Sequence, residues 1–177
     1  TPHYIINSIL KKSFDYTKLN KNSIFLDPAC GSGAFLINII KILLTKKFNF
    51  EFIVKNMIYG LDINDQAIFN SKILIELYSL ELNSPISSNI LNIYKFDFIL
   101  NKENIILKKL GLKKKIDFIC SNPPYIKLQN IDNKIRDDLK KRYSLYFKGS
   151  FSTSLCFIIQ SLKILSEEGT LGFITQN

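Results

Sequence analysis

The run Asn122-Pro123-Pro124-Tyr125, directly after the apolar stretch Ile116 to Cys120, carries the most specific chemistry in the chain. Two consecutive prolines lock φ and hold the residues before them extended. That geometry lets the Pro123 carbonyl and the Asn122 amide oxygen converge on one point. The exocyclic amine of a nucleobase is a poor nucleophile, because its lone pair is conjugated with the ring. Two fixed acceptors on its hydrogens favour a pyramidal nitrogen whose lone pair faces a methyl donor, a case of electrostatic preorganisation. Tyr125 adds a flat face for a base taken out of its stack. Such stacking is worth about 1–3 kcal/mol per base, against an extrusion cost of a few kcal/mol. A rigid loop without chemistry has little motive to expose Pro-Pro-Tyr at a strand end.

Three further sets stand behind earlier apolar runs. Asp27-Pro28-Ala29-Cys30-Gly31-Ser32-Gly33-Ala34-Phe35-Leu36 has two glycines that let the backbone turn tightly and approach a ligand. A helix follows at once and points its free N–H groups the same way. A dinucleotide fingerprint needs a third glycine where Leu36 stands, so phosphate is disfavoured. The carboxylate of Asp27 instead suits a cationic ligand, such as one bearing an α-amino group. Asp62, one strand–helix–strand step later, can accept from both hydroxyls of a ribose. Asp97-Phe98 offers an acceptor for an adenine amino group beside an aromatic wall. Each of these three alone also reads as ordinary structure: a tight turn, a solvated strand-end acid, a loop Asp beside a core Phe. Their weight comes from falling, with Asn122, at the ends of four successive strands in the order the chemistry needs.

The elements that must position them alternate. Helices are predicted over Tyr4 to Lys12, Ala34 to Lys46, Asp65 to Leu82 (capped by Asn64 or Asp65), Glu103 to Leu110 (closed by Gly111) and Ser152 to Leu165. Strands are predicted over Ser23 to Leu26, Ile58 to Leu61, Ile90 to Tyr94, Ile116 to Cys120 and Thr170 to Thr175. Strands separated by helices run parallel, because a return to the sheet needs a crossover. Near-continuous apolar strands imply helices on both faces. The expected fold is a doubly wound, Rossmann-like α/β domain with a mostly parallel sheet. Its ligands belong at the carboxyl ends of the strands, near the switch in strand order.

The composition narrows the function classes. With 177 residues, 46% of them hydrophobic and 22% charged, the chain can bury a sizeable core and is not a disordered segment. No apolar run reaches the roughly 18 residues of a membrane span. One histidine and three cysteines without ligand spacing predict no metal site, and buried thiols fit a reducing cytoplasm. The net charge of +9 suits a polyanion, although a Lys-, Asn- and Ile-rich composition also follows from an AT-biased genome. Lys134, Arg136, Lys140, Lys141, Arg142 and Lys148, interleaved with Tyr143, Tyr146 and Phe147, read either as a solvated helix face or as a track for a DNA backbone. The missing initiator Met and the final strand-like run to Asn177 read as a piece of a longer polypeptide.

Over nearly its whole length the sequence resembles the N6-adenine DNA methyltransferases of restriction-modification systems, in the subgroup whose cofactor motifs come first and target-recognition region last. The resemblance implies S-adenosylmethionine as cofactor and double-stranded DNA, with its target adenine flipped out, as partner. It implies that residues 1–177 form the cofactor-binding and catalytic domain, with the target-recognition domain and any nuclease outside it. Thr1, in the opening Thr-Pro, is implied near the methionine carboxylate. Asp27, Ala29, Gly31 and Gly33 are implied around the methionine moiety. Asp62 and Ile63 match ribose and adenine contacts, and Asp97 and Phe98 the adenine contacts. Asn122, Pro123, Pro124 and Tyr125 match the catalytic motif, and Gly169 to Thr175 the strand that follows it. Ser152, Thr153 and Ser154 depart from the family, which has Asp or Asn, Leu and an aromatic there. Rival readings are a protein-glutamine methyltransferase, whose amide nitrogen poses the same problem, an RNA-adenine methyltransferase, and a non-catalytic DNA-binding module. The Thr-Pro opening and the Asp-Pro-Ala-Cys-Gly wording favour DNA.

Overall fold

In the computed structural model, which describes residues 1–147 and 149–175, five strands form one sheet. Lys148, Gln176 and Asn177 lie outside the described residues. The strands are β1 (Phe25–Asp27), β2 (Ile58–Asp62), β3 (Ile93–Lys95), β4 (Ile116–Ser121) and β5 (Leu165–Phe173). Their order is β3-β2-β1-β4-β5, and every neighbouring pair is parallel. The helices are α1 (His3–Ser13), α2 (Ala34–Thr45), α3 (Phe50–Asn56), α4 (Asp65–Glu81), α5 (Glu103–Leu110), α6 (Asn133–Tyr143) and α7 (Thr153–Ile164).

Alternation along the strands makes the layers, because successive side chains leave a strand on opposite faces. Phe25, Ile58, Phe118 and Cys120 join a core with α1, α2 and α3. Leu26, Tyr59, Leu61 and Ile119 join a second core with α5, α6 and α7. The doubly wound parallel sheet is therefore as the sequence predicts. The first core is centred on Phe25 stacked on Phe118, centroids 4.5 Å apart, with Phe14 edge-on to Phe118 at 5.1 Å. Strand order reverses between β1 and β4, which puts the ligand crevice outside their carboxyl ends.

Boundaries differ for physical reasons. The first strand starts at Phe25, since Ile24 instead donates its N–H to Asp117 Oδ2 at 2.8 Å. The third starts at Ile93, after a 3-10 turn over Ser88–Ile90. The last starts at Leu165, but its register jumps: Ile116 pairs with Leu165 and Phe118 with Thr170. Gly169 sits in that irregularity, where a Cβ would come within 2.7 Å of the Leu165 side chain. Two helices, α3 and α6, add to those predicted. Asn49 caps α3 through Phe52 N, and Asp132 caps α6 through Lys134 N. α4 has no single apolar face: Ser71, Ile75 and Ser79 point inward, while Phe69, Leu77 and Leu80 stand more than half exposed. Among the described residues no helix is long and apolar enough to cross a membrane.

Candidate active site

The loop between β1 and α2 is shaped by two left-handed glycines, Gly31 at φ +52° and Gly33 at φ +85°. Gly33 opens α2, and a Cβ there would meet Ser71 Oγ at 2.6 Å, so only glycine lets α4 lie this close. A Cβ at Gly31 would meet nothing within 4 Å, so this turn faces open space. Asp27, which a strand-end position would leave available to a ligand, is instead only 1% exposed. Its Oδ1 accepts from Ser121 Oγ at 2.7 Å and Ala29 N at 3.1 Å. Burial pushes its carboxyl up to about 7, opposed by these two hydrogen bonds and reinforced by the charge of Asp62. Asp27 thus ties the glycine loop and β1 to the end of β4, one residue before Asn122.

Asp62 is the acid that faces outward beside the loop. Its Oδ2 accepts from Gly31 N and its Oδ1 from Asn64 N, both at 2.9 Å. A carboxylate has about four lone-pair sites, so capacity remains for two hydroxyl donors. Ile63 beside it is 65% exposed, an apolar surface next to a polar acceptor. Asp97 Oδ1 accepts from Ile99 N at 3.1 Å and Leu100 N at 2.9 Å, which folds its loop into a turn. Phe98 is no wall of the cleft. Its side chain is 1% exposed and stacks on Phe157 at 5.6 Å, so only its backbone is left to meet a ligand.

At the end of β4 the Asn122 amide is held on both sides. Its Nδ2 donates to Thr1 Oγ1 at 2.9 Å, and its Oδ1 accepts from Tyr125 Oη at 2.7 Å. Thr1 therefore stands against the loop that follows β4. Pro123 is buried and Pro124 exposed. The Pro124 carbonyl accepts from Thr153 Oγ1 at 2.6 Å, and the same Oγ1 accepts from Ile126 N at 3.2 Å. Among the described residues the Pro123 carbonyl takes no hydrogen bond, and the Asn122 oxygen takes one, from Tyr125.

Sequence reasoning missed the supporting roles of five residues. Ser121 fixes Asp27, and its only signal was its place before Asn122. Thr153, which stood as a departure from the family pattern, braces the Asn-Pro-Pro-Tyr loop from the start of α7. From α6, Arg142 donates to the Leu100 carbonyl at 2.7 Å and the Asn101 carbonyl at 3.0 Å, while Tyr143 Oη donates to the Ile99 carbonyl at 2.9 Å. Gln160 of α7 also donates to the Asn101 carbonyl, at 3.1 Å. Part of the basic stretch thus clamps the loop that carries Asp97.

The sequence profile of the Eco57I restriction-modification methylase family matches residues 56–177. Over 175 residues, 98% of this chain, the sequence is 31% identical to the Type II methyltransferase M.VspI of Vibrio sp. (strain 343). The chain spans only 36% of the length of that relative. In fold it is similar to a chain of the DrdV–DNA complex, with a TM-score of 0.74 at 20% identity, over 98% of this chain and 20% of that one. It is also similar to a Listeria monocytogenes protein assigned to the class I S-adenosylmethionine-dependent methyltransferases. That TM-score is 0.57 at 20% identity, over 99% of this chain and 43% of the other.

Proposed function

Because the chain belongs to the Eco57I restriction-modification methylase family, we propose that its site transfers the methyl group of S-adenosylmethionine to the exocyclic N6 amino group of adenine in DNA. The observation that carries this reading is the catalytic loop at the switch point. The amide oxygen of Asn122 is aimed by Thr1 and Tyr125, beside a Pro123 carbonyl with no partner among the described residues.

The residues present fit the cofactor. Gly31 faces open space, Asp62 keeps acceptor capacity for two ribose hydroxyls, and Ile63 offers apolar surface to an adenine ring. Asp97 is placed to accept from the adenine amino group, with Phe98 contributing backbone. Thr1, Asp27, Ala29 and Gly33 would surround or support the methionine end. When bound, the cofactor supplies a methyl group on a positively charged sulfur.

Every other task falls to the chain. Asn122 Oδ1 exchanges the Tyr125 hydroxyl for one hydrogen of the target amine, and the Pro123 carbonyl takes the other. Released from Asn122, Tyr125 is free to stack on the extruded base. Held by Asn122 and Pro123, the nitrogen would present its lone pair in line with the methyl group that the cofactor would supply, and its surplus proton would pass to water. The rate gain comes from positioning and from acceptors fixed before the reaction. The three cysteines are free and buried, as a protein working in a reducing cytoplasm would keep them. Target recognition, and any nuclease, belong to parts of the longer protein.

The test is radiolabelled methyl transfer by the full-length parent, offered DNA, RNA and protein separately, with digestion to identify the modified unit. N6-methyladenine in DNA is expected; label in RNA or in a protein glutamine would overturn the substrate. Asn122→Ala should lose transfer while keeping cofactor affinity, and unchanged turnover would defeat the assignment of the loop.

A further inference from the structure

The cations of α6 divide between two tasks. Arg142 is turned inward, onto the Leu100 and Asn101 carbonyls. Arg136 and Lys140, one helical turn apart, instead border a cavity of about 240 Å³ with Leu128, Gln129, Gly149 and Ser150. Arg136 Nη2 donates to Asn133 Oδ1 at 2.6 Å, but its Nε–H is buried with no acceptor among the described residues. Leaving a buried charged donor without an acceptor is costly. Among the described residues no acidic one lines the cavity and neither cation is in an ion pair.

The cavity is tied to the catalytic loop by a short antiparallel ladder. Thr153 N donates to the Ile126 carbonyl, Lys127 bridges to Ser152, and Leu128 N donates to the Phe151 carbonyl. Pro124 stands at one end of this ladder and the cavity at the other. The separation is roughly 13 Å at about 3.3 Å per extended residue. Arg136, Lys140, Ser150 and Gln129 line it with a guanidinium, an ammonium, a hydroxyl and an amide, a donor set suited to phosphate oxygens.

We propose that this cavity is an anion site that takes one phosphodiester of the DNA strand carrying the extruded base. The proposal rests on the reading of the site as a DNA methyltransferase. It makes Arg136 and Lys140 the part of the basic stretch that meets DNA, and Arg142 the part that does not.

The experiment measures duplex binding by the full-length protein across a salt series. Arg136→Gln with Lys140→Gln should lower the slope of log affinity against log salt by about one to two, while cofactor affinity holds. Lys140→Gln alone, at an exposed position, should lower it by about one and carries the test if the double variant loses cofactor binding. Neutral methylphosphonate linkages are then placed one at a time along the strand. One position should weaken the wild type about tenfold or more and leave the double variant unaffected, which separates a backbone phosphate from adventitious free phosphate. A wild-type slope in the variants, or phosphonates acting alike on both proteins, overturns the site. Absence of any DNA binding or methylation by the wild type would overturn the parent reading as well, so the two failures are distinguishable.

Discussion

Asn122 shows how a single amide is prepared. Thr1 takes its nitrogen and Tyr125 its oxygen, so the oxygen is oriented before any amine arrives. Asp62 has a comparable double duty, with one oxygen on the glycine loop and acceptor capacity left over. Asp62→Ala is therefore expected to weaken S-adenosylmethionine binding at least about tenfold, since a hydrogen bond to a charged acceptor is worth roughly 1.5–3 kcal/mol. Isothermal titration checks this, and an unchanged dissociation constant would remove Asp62 from the cofactor site. Both residues stood out in the sequence because each closely follows an apolar run, in a series of four such strand ends. The depth of Asp27 was not legible, because its partner Ser121 is 94 residues away. For Phe98 the sequence left a core position and an aromatic wall open, and Phe157 stacked against it decides for the core.

Among the elements, α6 is the least legible and the most informative. Its run of lysines, arginines and aspartates hides three apolar positions at helical spacing, Ile135, Leu139 and Tyr143, of which the last two are fully buried. That spacing was the available signal. α3 is two turns long, too short for periodicity to speak, whereas the strands were readable as apolar runs cut off by Asp or Asn-Pro. The irregular start of β5 comes from pairing with β4, which no local pattern encodes. The inward face of α6 predicts a separation of effects. Arg142→Gln loses two donations to the loop that carries Asp97, at about 1 kcal/mol each. Cofactor affinity should fall by up to about thirtyfold, while the salt slope of DNA binding stays put. A changed slope with unchanged cofactor affinity would place Arg142 on DNA instead.

The whole molecule is two apolar layers around one parallel sheet, with a buried acid at the end of the central strand. That acid makes stability depend on pH. The Asp27 carboxyl sits at about 7 when folded against an ordinary 3.8, so the folded state holds the proton more tightly. Its contribution is complete below about pH 4 and is lost as pH rises through about 7. Asp27→Asn, an isostere that still accepts from Ser121 and Ala29, should flatten that loss. Thermal melts of both proteins from pH 5 to 8 should show the wild type falling relative to the variant, and parallel curves would mean Asp27 is not the group responsible. The strand order carries a further consequence, for synthesis. β1 is central, yet one of its two neighbours is β4, and the contacts that complete the site span 94 residues for Asp27–Ser121 and 121 for Thr1–Asn122. Pairing over such separations is slow to form. A chain emerging from the ribosome holds β1 with a bare, apolar edge until Ser121 has been added, and such an edge invites other chains. Only after that point can β4 cover the edge, and β5 must still follow to finish the sheet.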